Sequence, residues 1–194
     1  MIIDISKYQG TCNWKQIKEA GVNKVFIKAT EGVGSKNDLV KLQADGAKAA
    51  GLLIGYYHFA SLNNKDEVGD AVQEVNYFTS VLETLPKNDL PLVLDIEKNL
   101  IGLSKDEVLA YIKAFFSQLE TLGYKDYVLY SYTPFLDSNL PINHGLGNVR
   151  LWIAAYTDTL KLPKGWTNYW LWQYSSKGQV LGIKGNVDLN REPK

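Results

Sequence analysis

Short apolar runs alternate with longer amphipathic stretches along most of the chain. The runs Ile2–Ile5, Lys24–Lys28, Leu52–Tyr57, Pro91–Ile96, Tyr127–Ser131, Arg150–Ala155, Tyr169–Tyr174 and Val187–Leu189 are rich in Val, Ile, Tyr and Trp. Such residues fit the pleated, half-buried surface of a strand. The stretches between them carry helix signals. Asn13 caps a helix through Ala20 that Gly21 stops. A second helix spans Leu39–Ala50 and ends at Gly51, and a third runs from near Lys65 to Leu82. Ser104 caps a fourth that continues to Leu122 before Gly123, and the Ser104–Glu107 segment has capping-box spacing.

Strand, helix, glycine, strand is the mark of parallel βαβ units. Eight candidate strands in 194 residues favour a closed (β/α) barrel over an open doubly wound sheet. Barrels of that kind average about 250 residues, so this one is short. After Ser131 the connections TPFLDSNLPINHGLGN and YTDTLKLPKGW are dense in Pro, Gly and Asn and read as loops. The expected fold is therefore α/β: an irregular, flattened barrel of eight strands with an incomplete outer ring of helices. No linker or internal repeat divides residues 1–194, which are expected to form a single domain.

Composition narrows the possible partners. The 21 basic and 21 acidic side chains cancel, and no basic run is present, which argues against nucleic acid or an anionic membrane as the main target. No apolar stretch approaches the roughly 20 residues of a membrane span. One cysteine, Cys12, precludes an internal disulfide and a multi-thiolate metal site. Two histidines leave little for zinc, and neither a metal nor a cofactor is expected. Met1 leads into Ile2, Ile3 and Asp4 without the basic and long apolar regions of a secretory signal, so it reads as the natural start.

The candidate chemistry sits at strand ends. In PLVLDIEKNL, Asp95 and Glu97 follow a buried apolar run. Positions i and i+2 of a strand point to the same side, with Cα atoms about 6.5–7 Å apart. Acids at a strand exit also simply meet solvent or cap the next helix, but in barrels the C-terminal strand ends form the active site. Asp4 in the first strand and Asp188 in the last occupy similar positions, and closure would make those strands neighbours. Four converging carboxylates repel one another at a cost a fold has no reason to bear. Acid–base chemistry or a divalent cation gives one.

Aromatic residues point the same way. Trp152, Trp166, Trp170 and Trp172 cluster with Tyr156, Tyr169 and Tyr174. Some of these rings fill the core, but aromatic faces and amides beside carboxylates also suit sugar rings. Tyr56, Tyr57 and His58, ending the third strand, are expected at the same mouth, with His58 as a hydrogen-bonding orienter. Tyr130, Tyr156, Trp172 and Gln173 complete the expected substrate contacts. The EGVGS segment lacks dinucleotide-binding spacing, and Ser131 lacks a nucleophile-elbow context.

Together the motifs DISKYQG, FIKATEG, GYYHFA, LVLDIE, LWIAAY, LWQYS and VDLN resemble those of the glycoside hydrolase family 25 lysozymes, from residue 4 to residue 190. The resemblance implies a muramidase that cleaves the β-1,4 bond between N-acetylmuramic acid and N-acetylglucosamine in peptidoglycan. It places the general acid at Glu97, its partner carboxylate at Asp95, and two flanking acids at Asp4 and Asp188. One departure is CNW at Cys12–Trp14, where relatives often carry an acid before the Trp; Asn13 caps a helix equally well.

Asp95 would then attack the anomeric carbon or support the substrate's own acetamido group in doing so. Carboxyl separations of about 5–5.5 Å fit direct attack and about 6.5–9.5 Å leave room for water; an i, i+2 pair reaches both. Two rival readings of the same acids are a metal-dependent hydrolase and an inactive glycan-binding module. The resemblance further implies a monomeric catalytic part of a bacteriophage endolysin, held in the host cytoplasm until a holin-like pore admits it to the wall. A C-terminal wall-binding domain is expected to lie outside this chain.

Overall fold

The computed structural model describes residues 1–193. Nine strands form one sheet: β1 (Ile2–Ile5), β2 (Lys24–Glu31), β3 (Ser35–Lys36), β4 (Leu53–Phe59), β5 (Leu92–Asp95), β6 (Tyr127–Tyr132), β7 (Leu151–Ala154), β8 (Leu171–Gly178) and β9 (Val187–Arg191). Their order is β1-β9-β8-β7-β6-β5-β4-β2-β3, and the pairing of β1 with β2 closes eight of them into a barrel. β3 is a short hairpin arm on β2, turned by Gly32 and Gly34 at positive φ, which accounts for the EGVGS segment.

Strands β1, β2 and β4 to β8 run parallel to their neighbours, whereas β9 is antiparallel to both β1 and β8. The reason is the connection. The stretch 179–186 is too short for the crossover of a dozen or more residues that a parallel pair needs, so the chain folds back as a hairpin. Reversal has a functional effect. The mouth of the barrel, reached at the ends of the parallel strands, is reached at the start of β9, and there lies Asp188, directly opposite Asp4.

Helices α1 (Trp14–Glu19), α2 (Val40–Ala49), α3 (Glu67–Leu82) and α4 (Lys105–Thr121) cover the first half. Asn13 and Ser104 cap α1 and α4 as expected, Ser104 with the full capping box, and Asp66 caps α3. One expectation fails: Thr133–Asn139, read as loop, is a short helix α5. Its proline lies in the first turn, where a missing N–H removes no helical bond, so a proline there starts a helix instead of breaking one. No helix among the described residues links β7 to β8 or β8 to β9, so the outer ring is incomplete. None is long and apolar enough to cross a membrane.

Alternation divides the core in two. Ile3, Ile5, Val25, Ile27, Ile54, Leu92 and Leu94 face outward and pack under the helices. Ile2, Phe26, Val93, Val128, Tyr130, Trp152 and Leu171 fill the barrel. Phe26 and Trp152 meet at 4.7 Å between ring centroids, and Tyr130 meets Trp152 edge-on at 5.0 Å. Gly55 permits this plug, because a Cβ there would stand 2.5 Å from the Phe26 ring. Aromatic filling raises a floor on which the residues nearer the mouth stand.

Candidate active site

Above that floor lies a cavity of about 330 Å³ that contains Asp4, Asp95, Glu97 and Asp188. The inward parity of each strand delivers them: Ile2 then Asp4 on β1, Val93 then Asp95 and Glu97 on and after β5, Asp188 then Asn190 on β9. Tyr57, Tyr130, Tyr156 and Gln173 line the same cavity, as expected.

Three expected contacts are elsewhere. Tyr56 is buried on the outer face of β4 and donates its hydroxyl to the Pro86 carbonyl at 2.8 Å. His58 shares that outward parity and is buried under α3 and α4, 2.5 Å from Glu74 and 2.8 Å from the Thr30 hydroxyl. It is a hydrogen-bonded residue, but not at the mouth. Trp172 also faces outward, donating to the Ala155 carbonyl at 2.7 Å beneath the Arg191 guanidinium. In each case a neighbour of opposite parity, Tyr57 or Gln173, takes the inward place.

A relay of hydrogen bonds fixes one side of the cavity. Asp4 Oδ2 accepts from Gln173 Nε2 at 3.0 Å and from Asn190 Nδ2 at 2.8 Å. Gln173 Oε1 accepts from the hydroxyls of Tyr130 at 2.9 Å and Tyr156 at 2.7 Å. Asn190 Oδ1 accepts from Trp152 Nε1 at 2.8 Å. The other side is left open. Asp95 is buried, yet its Oδ1 has no hydrogen-bond partner. A buried carboxylate oxygen without a donor is costly to the fold and is free to meet a ligand.

Electrostatics follow from that crowding. Burial, then the charge of Glu97, raises Asp95 well above the ordinary carboxylate range, while Lys28 pulls it down. Burial raises Glu97, opposed by its hydrogen bond with Asp95 and by the lysines Lys98 and Lys28. Burial and then Asp188 raise Asp4, against the amides of Asn190 and Gln173; burial likewise raises Asp188. The acids form two close pairs, each holding a proton to higher pH than a free carboxyl would. A protonated acid beside an ionised one is the equipment for general acid catalysis.

Ser6, Tyr8, Lys28, Phe59, Val93 and Ser176 line the cavity and escaped the sequence reading of the site, as did Asn190, which bonds Asp4. Parity was the available signal. Lys28 lies two residues after inward Phe26, and Asn190 two after Asp188. Tyr8 stands 83% exposed on a single 3₁₀ turn at the rim. Past Glu97 and Tyr156 the cavity continues into a more apolar hollow of about 560 Å³ bounded by Tyr132, Pro134 and Ala155.

Paired carboxylates over an aromatic floor at a barrel's mouth are the arrangement that glycoside hydrolases use. The chain belongs to glycosyl hydrolases family 25, whose pattern matches residues 3–183. It is 36% identical over 188 residues to the autolytic lysozyme of Clostridium acetobutylicum, covering 97% of this chain and 54% of that protein. Its backbone matches the bacterial lysozyme from Streptomyces coelicolor with a TM-score of 0.87 at 30% identity, covering 99% of this chain and 91% of that one. The CTP1L endolysin matches with a TM-score of 0.80 at 30% identity, covering 99% of this chain and 66% of that one. The chain spans 54% to 66% of the length of two curated lysozymes that it matches.

Proposed function

We propose that the chain is an N-acetylmuramidase that hydrolyses the β-1,4 bond between N-acetylmuramic acid and N-acetylglucosamine in bacterial peptidoglycan. The observation that carries this reading is the gathering of Asp95, Glu97, Asp4 and Asp188 in one aromatic-lined cavity of a family 25 barrel. Glu97 gives its proton to the glycosidic oxygen as the bond from that oxygen to the anomeric carbon breaks. Positive charge developing at the anomeric carbon favours an ionised Asp95, so the proton that the pair shares moves to Glu97 when sugar binds. Asp95 then bonds to that carbon or supports the substrate's acetamido group, and Glu97 takes a proton from the water that completes hydrolysis. Tyr57, Tyr130, Tyr156 and Gln173 hold the sugar, and Asp4 and Asp188 keep the groove acidic.

Mass spectrometry of the fragments released from a defined wall identifies the bond cut; muramic acid at the new reducing ends is the expected result. Release insensitive to a chelator supports the muramidase. Loss restored by Mg²⁺ or Ca²⁺ would instead make the acid cluster a metal site, and binding without release would make the chain a glycan-binding module. Proton NMR of the first product is expected to show retained anomeric configuration; inversion excludes both routes through Asp95. We further propose that the chain acts as a monomer, in an endolysin setting that confines it to the host cytoplasm until a holin-like pore opens. Intact cells expressing it are then expected to lyse only when the inner membrane is permeabilised.

A further inference from the structure

The acid cavity contains one cation among the described residues that line it, Lys28. Its place follows from the alternation of β2, which an irregularity ends just after it. Phe26 and Lys28 share the inward face, and strict alternation would put Thr30 there too. A register shift against β4 between Lys28 and Thr30 turns Thr30 outward, where its hydroxyl reaches His58. Lys28 is thus the last residue of its strand to line the acid cavity and is mostly buried, with 19% of its side chain exposed. Its ammonium lies 2.7 Å from Glu31 Oε2 and 4.4 Å from the centre of the Phe59 ring, so it is held at a defined point.

We propose that Lys28 is a positioning residue that acts on the reaction through Asp95 and Glu97. Its ammonium, clamped on the cavity wall, keeps one carboxyl of that pair ionised, and Glu31 sets how much of the positive charge the cavity feels. This inference rests on the reading of those two acids as the reacting pair. Three acids share the cavity with Lys28 besides Asp95: Glu97, Asp4 and Asp188. Tyr8, Tyr57, Tyr130 and Tyr156 line it as the other titratable groups. Toward the β3 hairpin Lys28 also borders Lys7, Glu31 and Lys36, and exposed Lys98 lies over the same Phe59 ring at 5.3 Å. Lys7 and Lys36 are exposed and screened by solvent, whereas exposed Lys98 lowers Glu97 more than Lys28 does. Lys28 alone among these lysines lines the acid cavity. The charges around the pair agree: Lys28 lowers both Asp95 and Glu97, and Lys28 in turn holds Glu31 down.

The test uses the whole chain and three variants, Lys28→Met, Lys28→Arg and Glu31→Gln. Methionine keeps the packing on Phe59 and removes the charge; arginine keeps both. Carboxyl-carbon NMR titration reads Asp95 and Glu97 in the free protein. The pH profile of kcat/KM for reducing-end release from purified peptidoglycan reads them at work. In Lys28→Met both titrations, and both limbs of the bell-shaped profile, move to higher pH. In Glu31→Gln they move to lower pH, and in Lys28→Arg they stay. A merely structural role would lower the height of the profile and leave its limbs in place. Unmoved titrations in Lys28→Met, or equal directions in Lys28→Met and Glu31→Gln, overturn the proposal. Titrations that move in a chain releasing no reducing ends would sustain Lys28 and refute the muramidase.

Discussion

Two groups of buried acids stand back to back across β4, and they are built on opposite plans. On the outer face Glu74 is fully buried and saturated. Its Oε2 meets His58 at 2.5 Å and the Tyr111 hydroxyl at 2.7 Å, and the amide of Ser61 approaches from the loop after β4. On the inner face four carboxylates converge, with one lysine on the wall and one oxygen of Asp95 unpartnered. A carboxylate with all its donors in place is holding the fold together. A set that lacks them is poised for something that arrives from outside. The outer group has one loose end, Asp70 Oδ2, on the helix turn before Glu74.

The contrast breaks down if the inner acids are not the reacting ones. Glu97→Gln is expected to lower reducing-end release by about 10²–10⁴-fold, the range of a lost general acid, with an unchanged circular-dichroism spectrum. Asp95→Asn is expected to depress turnover nearly as far while raising the melting temperature, because one charge leaves a crowded site. Retained activity in either variant reassigns that role.

Breaking the outer network has the reverse signature. Glu74→Ala or His58→Ala is expected to destabilise the chain by about 3–5 kcal/mol, the usual consequence of stripping one partner from a buried pair. Urea unfolding measures the loss. Turnover of the protein that remains folded should stay close to that of the unaltered chain. A collapse of turnover without loss of stability would erase the distinction between the two faces.

Acidity sharpens the comparison further. A carboxyl raised in the folded state binds its proton more tightly there than in the unfolded chain. Its stabilising contribution is full below the unfolded value, near 4, and is lost as pH rises through the folded value. Asp4, Asp95, Glu97 and Asp188 are all raised, so melting temperature is expected to fall from mildly acidic to neutral pH. The double variant Asp95→Asn, Glu97→Gln should flatten that slope. The smallest effect is expected at Tyr56→Phe, which removes the bond to Pro86 and about 1 kcal/mol of stability and leaves kcat/KM unchanged.

Much of this was legible before the fold. Each of the eight barrel strands was marked by its Val, Ile and aromatic content, and glycines or caps bounded three of the first four helices, the exception being α3. Asp95 and Glu97 were visible because both residues lie on the local exit of one strand. What escaped depended on direction and distance. Tyr56 and His58 were expected inside with Tyr57, although alternation allows one parity, and the plug of Phe26 against Gly55 fixes which. The bonds from Gln173 and Asn190 to Asp4 cross 169 and 186 positions of chain, beyond any local pattern. Lys28 follows by parity once Phe26 is known to face inward, but nothing in FIKATEG announces the shift that turns Thr30 out.

The reversed final strand also governs how this barrel can be attached to other things. Because β9 runs back from the mouth, Asn190 pairs with Ile2 at the start of β1, and Lys24 bridges Glu192 at 2.6 Å. Both ends of the described chain therefore lie together at the base, on the side away from the acids. A tether, a fluorescent label or a targeting module fused at either end leaves the groove unobstructed, and a short peptide joining the two would permit new ends to be cut elsewhere.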